Sequence, residues 1–292
     1  MSAYPDAKLI TAVPTLFDQD GALDLGATKA AYAQLAEAPL DGIFVAGTTG
    51  EFTTLSDDER LAVCAAAGDA FGLDRTYWHV GAASRYQAAS LTRAAVDRGA
   101  HRLAALTPHY YAATESALLS YYETLVARAA GIPVYGYLFE ARTTTSVTPT
   151  LLARLVDTGL AGVKISGAGG AVVGRYLAAL DGRPIPVYSG ADAEFAEVVN
   201  LGAAGVVSGV SSALPAPFLE VRNALRAGDA AALAVARERA RRAVAATGQG
   251  NLAHLKAVLE LRGIPASGLR APLDRIPPEE RRTLEADIAD LL

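Results

Sequence analysis

Cysteine is almost absent. Cys64 is the only one in 292 residues, which excludes an internal disulfide and any multi-cysteine metal site. Histidine is scarce, with four scattered residues and no His-Glu-x-x-His pair, so a histidine-rich metal centre is not expected. Basic residues are not in excess: 26 Lys and Arg face 31 Asp and Glu, for a formal charge of −5. That balance argues against a nucleic-acid binder driven by phosphate contacts. No uncharged apolar stretch reaches the roughly 18 residues a membrane span needs. The stretch from Met1 to Lys8 lacks a basic segment followed by an apolar one, so no signal peptide and a cytoplasmic location are expected. Hydrophobic residues, by contrast, make up 51% of the chain, enough for a sizeable core.

Short apolar runs alternate with longer Ala-, Leu-, Arg- and Glu-rich segments. The runs cover residues 9–13, 42–47, 77–81, 103–107, 133–138, 162–166, 186–190 and 205–210. Each has strand length and is rich in β-branched or aromatic residues. Helix-like segments lie between them, at 25–36, 57–70, 88–98, 116–130, 149–157 and 193–201. Strand starts recur roughly every 20 to 35 residues, the spacing of a βα unit. Eight such units predict a closed parallel (β/α)8 TIM barrel over residues 1–226, for which about 250 residues are typical. An open doubly wound sheet is the rival, but no Gly-x-Gly-x-x-Gly follows the first strand as a dinucleotide site would require. Residues 227–292 read as C-terminal helices at 230–246, 252–261 and 278–292, packed on the barrel with no flexible linker before them.

In such a barrel the reactive side chains gather at the C-terminal strand ends. Lys164 lies in Gly162-Val163-Lys164-Ile165-Ser166, where alternation sends it to the face opposite Val163 and Ile165. If those two face the helices, Lys164 faces the interior. An unpaired ammonium there is costly, and the neutral amine is a nucleophile able to form a Schiff base with a ketone. The competing reading is a strand-end lysine reaching solvent. Tyr137 shares one face with Tyr135 and could shuttle a proton, or be a core tyrosine with a satisfied hydroxyl. Gly47-Thr48-Thr49-Gly50-Glu51 follows the second strand, and its amides and hydroxyls could nest a carboxylate. Ser56-Asp57-Asp58-Glu59 reads as a capping box, so the turn before it is about eight residues long, more than a connection needs. Cys64 reads as a buried hydrophobe and His79 as a structural strand residue. His109, after the fourth strand, is placed for a substrate contact. The turn 208–212 could form a phosphate nest, although it carries no Lys or Arg.

Taken in order along the chain, these residues resemble the dihydrodipicolinate synthase and N-acetylneuraminate lyase family of pyruvate-handling Schiff-base enzymes. The resemblance rests on Ile10-Thr11-Ala12-Val13-Pro14-Thr15-Leu16-Phe17, the Gly47–Glu51 motif, Thr107-Pro108-His109-Tyr110-Tyr111, Tyr137, Gly162-Val163-Lys164, Ser189-Gly190-Ala191-Asp192, Lys256, and Gly263 with Arg270-Ala271-Pro272-Leu273. It implies a (β/α)8 barrel with C-terminal helices and no metal or organic cofactor. It implies that Lys164 forms the Schiff base with pyruvate or another 2-keto acid and that Tyr137 is the acid/base. Thr48 would link Tyr137 to Tyr110 in a hydroxyl relay, and Thr49, beside Gly47, would hold the substrate carboxylate. Gly190 and Val207 would line the pocket. The counterpart of Tyr110 commonly comes from a neighbouring subunit, which implies a homo-oligomer, dimer or tetramer.

The chain departs from the family pattern around the second substrate. The synthases usually read Tyr-Asn-x-Pro-x-Arg-Thr, whereas this chain reads Tyr137-Leu138-Phe139-Glu140-Ala141-Arg142-Thr143. Arg142 matches the arginine that binds the far carboxylate in the synthases. Glu140 would weaken that subsite if it paired with Arg142. The expected reaction is cleavage or formation of a C–C bond between pyruvate and an aldehyde, on a 2-keto-3-deoxy sugar acid or related hydroxy keto acid, or dehydration of such an acid by carbon–oxygen cleavage. The alternatives are 4-hydroxy-tetrahydrodipicolinate synthesis from pyruvate and aspartate semialdehyde, and a 2-keto acid binding protein without turnover.

Overall fold

The computed structural model describes residues 6–167, 169–265, 267–270 and 272–292. Ala271 of the resemblance segment and the first five residues therefore lie outside the described part. Eight parallel strands close on themselves: β1 (Lys8–Ala12), β2 (Gly42–Val45), β3 (Thr76–His79), β4 (Arg102–Leu106), β5 (Val134–Leu138), β6 (Gly162–Ile165), β7 (Val187–Ser189) and β8 (Gly205–Ser208). Closure comes from β1, which pairs with β2 on one side and β8 on the other. The connecting helices are α1 (Leu25–Ala36), α2 (Asp57–Phe71), α3 (Arg85–Asp97), α4 (Glu115–Arg128), a single turn α5 (Glu140–Thr143), α6 (Pro149–Val156), α7 (Gly170–Ala179), α8 (Phe195–Asn200) and α9 (Pro215–Ala227). After them come α10 (Ala230–Ala246), α11 (Leu252–Leu261) and α12 (Pro278–Ile288). The predicted (β/α)8 TIM barrel with C-terminal helices is the observed architecture.

Strand alternation sorts the apolar residues into two cores. Val163, Ile165, Val134 and Leu138 face outward and join the layer between barrel and helices. Ile10, Phe44, Tyr77, Leu106, Tyr135, Tyr137, Tyr188 and Val207 fill the barrel itself. These side chains fill the interior, which eight strands leave just wide enough for them. A Cβ on Gly162 would stand 2.6 Å from the Tyr135 ring, so glycine at this position lets the tyrosine lie across the floor. Arg102 completes that floor by donating to the Tyr135 hydroxyl at 3.0 Å.

The C-terminal segment is fastened to the loop between β2 and α2. The predicted capping box forms: Ser56 Oγ accepts from the Glu59 N–H at 3.2 Å and Glu59 accepts from the Ser56 N–H at 2.8 Å. The same Glu59 carboxylate takes a two-pronged contact from Arg270, at 2.6 and 2.9 Å. Arg270 also donates to the Thr54 and Gly21 carbonyls and lies 4.2 Å from the Phe17 ring centroid. Lys256 from α11 lies 4.5 Å from the same ring. Lys256 donates to the Gly268 carbonyl at 2.9 Å and meets Glu51 as a buried charge contact at 2.6 Å.

Candidate active site

The register of β5 against β6 sets Tyr137 directly beside Lys164. Both point inward, since their outward neighbours belong to the outer layer. Lys164 is 7% exposed and Tyr137 1%. The Lys164 nitrogen lies 4.2 Å from the Tyr137 ring centroid and 4.7 Å from that of Phe44, so aromatic faces cradle it. Among the described residues no carboxylate forms an ion pair with it. The reading of Lys164 as a solvated strand-end lysine does not fit this placement.

The Tyr137 hydroxyl lies 3.1 Å from Thr48 Oγ1, a hydrogen bond in which either group can donate. Thr48 and Thr49 stand on a strained loop. Ala46 just before it has φ +53° and Glu51 at its end has φ +55°, left-handed values that cost a residue with a Cβ roughly 1–2 kcal/mol each. Distant contacts hold the loop against that strain. The Thr15 hydroxyl donates to the Gly50 carbonyl at 2.8 Å, and a buried histidine, His79, bonds the Ala46 carbonyl at 2.8 Å. Thr49 reaches across the mouth towards the end of β8, its Oγ1 being 3.2 Å from where a Cβ on Gly209 would stand.

The remaining candidates are distributed unevenly. Val207 is buried inside the barrel. Gly190 lies against Ser166, whose Oγ would be 2.3 Å from an added Cβ. Arg142 is exposed, near the Phe139 ring, and shares a cavity of about 400 Å³ with Thr48, Thr49, His109 and Asn251. Glu140 instead lines a neighbouring cavity of about 460 Å³ with Arg175 and Tyr176. The two residues are two apart on the single turn α5 and line different cavities, so Glu140 does not pair with Arg142. His109 contributes an Nδ1 that is buried without a partner, and its imidazole is held below the usual range by burial and by Arg60. Tyr110 is 79% exposed, has φ +77° and packs edge-on against Tyr111. The chain thus brings Lys164, Tyr137 and Thr48 together and leaves Tyr110 at the surface.

Asp192 carries no assigned role in the sequence reading, yet it sits close to Lys164. Its Oδ2 accepts from the Ser208 hydroxyl at 2.8 Å and the Val210 N–H at 3.2 Å. Burial pushes its carboxyl up to about 6, while those hydrogen bonds and Lys164 pull the other way. The same contacts correct the phosphate-nest reading of 208–212, because a carboxylate of the chain already occupies that turn. His79, a structural strand residue by its sequence, also bonds the carbonyl at the start of the Thr48 loop. The available signal was its place at the inward end of β3, two residues after Tyr77.

Comparison with known proteins follows the same lines. The profile of the dihydrodipicolinate synthetase family matches residues 6–291. An uncharacterized DapA-like lyase of Halobacterium salinarum is 34% identical over 97% of this chain and 93% of its own. The 4-hydroxy-tetrahydrodipicolinate synthase 2 of Streptomyces coelicolor is 32% identical over 98% of this chain and 95% of its own. Among solved structures, a prophage protein of the dihydrodipicolinic acid synthase family from E. coli K12, in complex with pyruvate, superposes with a TM-score of 0.90 at 26% identity, covering 98% of each chain. With a profile match over nearly its whole length and relatives above 30% identity, this chain belongs to the dihydrodipicolinate synthetase family, whose members are lyases and synthases.

Proposed function

We propose that the protein is a class I lyase in which Lys164 captures a 2-keto acid, pyruvate in the simplest case, as an imine. The observation that carries this reading is the lysine held against the face of a tyrosine whose hydroxyl bonds Thr48. The neutral amine adds to the keto carbon, and Tyr137 delivers a proton to the departing hydroxyl, so water leaves and a protonated imine remains. That imine is an electron sink. A C3–C4 bond can then break as the C4 hydroxyl gives its proton to the Tyr137 phenolate left by the first step, releasing an aldehyde and leaving an enamine; the reverse course forms the bond. The substrate carboxylate rests on the amides and hydroxyls of Gly47, Thr48 and Thr49, with Gly190 and Val207 lining the pocket. Tyr110 extends the Tyr137–Thr48 relay from a neighbouring subunit of a homo-oligomer, which accounts for its exposure and left-handed backbone in the single chain.

In the cleavage direction the substrate is a 2-keto-3-deoxy sugar acid or related hydroxy keto acid, whose carbons from C4 onward leave as the aldehyde. The cavity beside Thr48 offers Thr53, Thr54, His109 and Asn251 as partners for hydroxyl groups. A second reading, condensation of pyruvate with aspartate semialdehyde, draws on Arg142, which Glu140 leaves unpaired at the mouth. Incubation with pyruvate and borohydride should label Lys164, and Lys164→Ala should abolish labelling and turnover. A wild type left unlabelled across 2-keto acids defeats the mechanism. Pyruvate release from a panel of keto-deoxy acids, run beside an aspartate-semialdehyde assay, separates the two substrates. Binding of 2-keto acids without turnover of either would mark a binding protein instead.

A further inference from the structure

His79 ends β3 inside the barrel, 2% exposed and tied at both ring nitrogens. Nδ1 lies 2.8 Å from the Ala46 carbonyl, which can only accept, so Nδ1 carries the proton. Nε2 lies 3.1 Å from the Leu106 N–H, which can only donate, so Nε2 is bare. The two partners fix one neutral tautomer. A positive neighbour reinforces it: buried Arg60 donates to the carbonyls of His79 and Gly81 at 2.8 and 2.9 Å, and its approach to Nδ1 at 3.2 Å is a contact between two donors. Burial and then Arg60 hold the imidazole well below its ordinary range. Space is reserved for the arrangement, since a Cβ on Gly81 would stand 2.8 Å from Nε2 and 2.4 Å from the Leu106 nitrogen.

The carbonyl that His79 grips belongs to the residue at which the chain turns left-handed and enters Gly47-Thr48-Thr49. Alanine has no intrinsic preference for that backbone. The bond to Nδ1–H therefore orients the loop that brings Thr48 onto the Tyr137 hydroxyl. The His79 ring packs 6.1 Å from Tyr137 and 4.7 Å from Phe52 by centroid, so it also fixes the walls on either side.

We infer that His79 is a positioning residue for keto acid recognition: its Nδ1–H pins the Ala46 carbonyl and thereby sets the Thr48-Thr49 hydroxyls and amides for the substrate carboxylate. The functional part of this inference rests on the 2-keto acid reading above. The test uses three variants of the full-length protein. His79→Asn keeps a donor near the Nδ1 position, His79→Gln offers an acceptor near Nε2, and His79→Leu keeps bulk alone. In borohydride trapping with pyruvate, the concentration giving half-maximal labelling of Lys164 should rise at least tenfold in the Leu and Gln variants. The Asn variant should stay within about threefold of wild type in both that concentration and the saturated labelling rate. An Asn variant as impaired as Leu, or a Leu variant with unchanged affinity, overturns the inference. Crystal structures of the Leu and Asn variants decide the geometric part independently. Ala46 should leave its left-handed conformation and Thr48 should part from Tyr137 in Leu, with both kept in Asn; an undisturbed loop in Leu overturns the anchor. If the wild type itself is not labelled, the keto acid reading and the recognition role fall together, and the anchor stands or falls on those structures.

Discussion

Replacing Asp192 by Asn should stabilise the protein at neutral pH and leave its stability unchanged in mild acid. Burial raises the Asp192 carboxyl from 3.8 to about 6 despite hydrogen bonds from Val210, Ser208 and Gly209 and a nearby lysine. A carboxyl whose pKa is higher in the folded state binds its proton more tightly there. Its ionisation therefore costs nothing below the unfolded value of 3.8, grows through the interval up to about 6, and is constant above it. About two pH units at 1.36 kcal/mol each give about 3 kcal/mol, and the side chain's partial contact with solvent reduces this to about 2 kcal/mol. Asparagine has nearly the same shape, and its Oδ1 can accept from both the Ser208 hydroxyl and the Val210 N–H. The change thus removes the charge and keeps the bonds. Urea unfolding of both proteins between pH 4 and 8 measures the difference. It should be near zero at pH 4, rise with a midpoint near pH 5, and level off above pH 6.5, with Asn the more stable. A difference independent of pH, or a wild type that gains on the variant as pH rises, would refute the claim that this carboxylate is strained by burial.

Three other perturbations probe the remaining supports. Lys256→Met strands the buried Glu51 carboxylate and should cost roughly 3–5 kcal/mol in urea unfolding, with Glu51→Gln added to it recovering at least half. Tyr137→Phe removes the hydroxyl bonded to Thr48 and should slow turnover about 10²–10⁴-fold in a pyruvate-release assay, with borohydride trapping at Lys164 slowed but not abolished. Arg142→Ala should raise the KM for an acid-terminated second substrate at least tenfold, whereas Glu140→Ala, which lines a different cavity, should leave that KM within twofold.

The sequence shows the reacting groups because their placement is local. Period-two alternation along Gly162-Val163-Lys164-Ile165 and Val134-Tyr135-Gly136-Tyr137 is enough to turn Lys164 and Tyr137 inward, and the recurrence of strands is enough to close the barrel. The same local logic fails at Glu140 and Arg142. Read as an extended turn they share a face; wound into one helical turn they part, and nothing in Phe139-Glu140-Ala141-Arg142 announces that turn. It fails again at 208–212, where a hydroxyl and an amide suited to an anion are filled by Asp192, 16 and 18 residues back in the chain.

The loop carrying Thr48 and Thr49 makes the difference plainest. Its motif is conspicuous, yet the groups that decide where it stands are Thr15, His79 and Lys256, the first two separated from their loop partners by 35 and 33 residues. None of the three belongs to the set that would touch a substrate. An alanine at φ +53° leaves no trace in composition either, because the strain is imposed from outside by a histidine that looks like any other buried strand residue. The chemistry of the site therefore belongs to residues whose spacing can be read, and its shape to contacts that exist only once the barrel has closed. Second-substrate preference should follow the latter, so exchanging Arg142 or the α5 turn should alter which partner the site accepts while borohydride trapping of pyruvate at Lys164 persists.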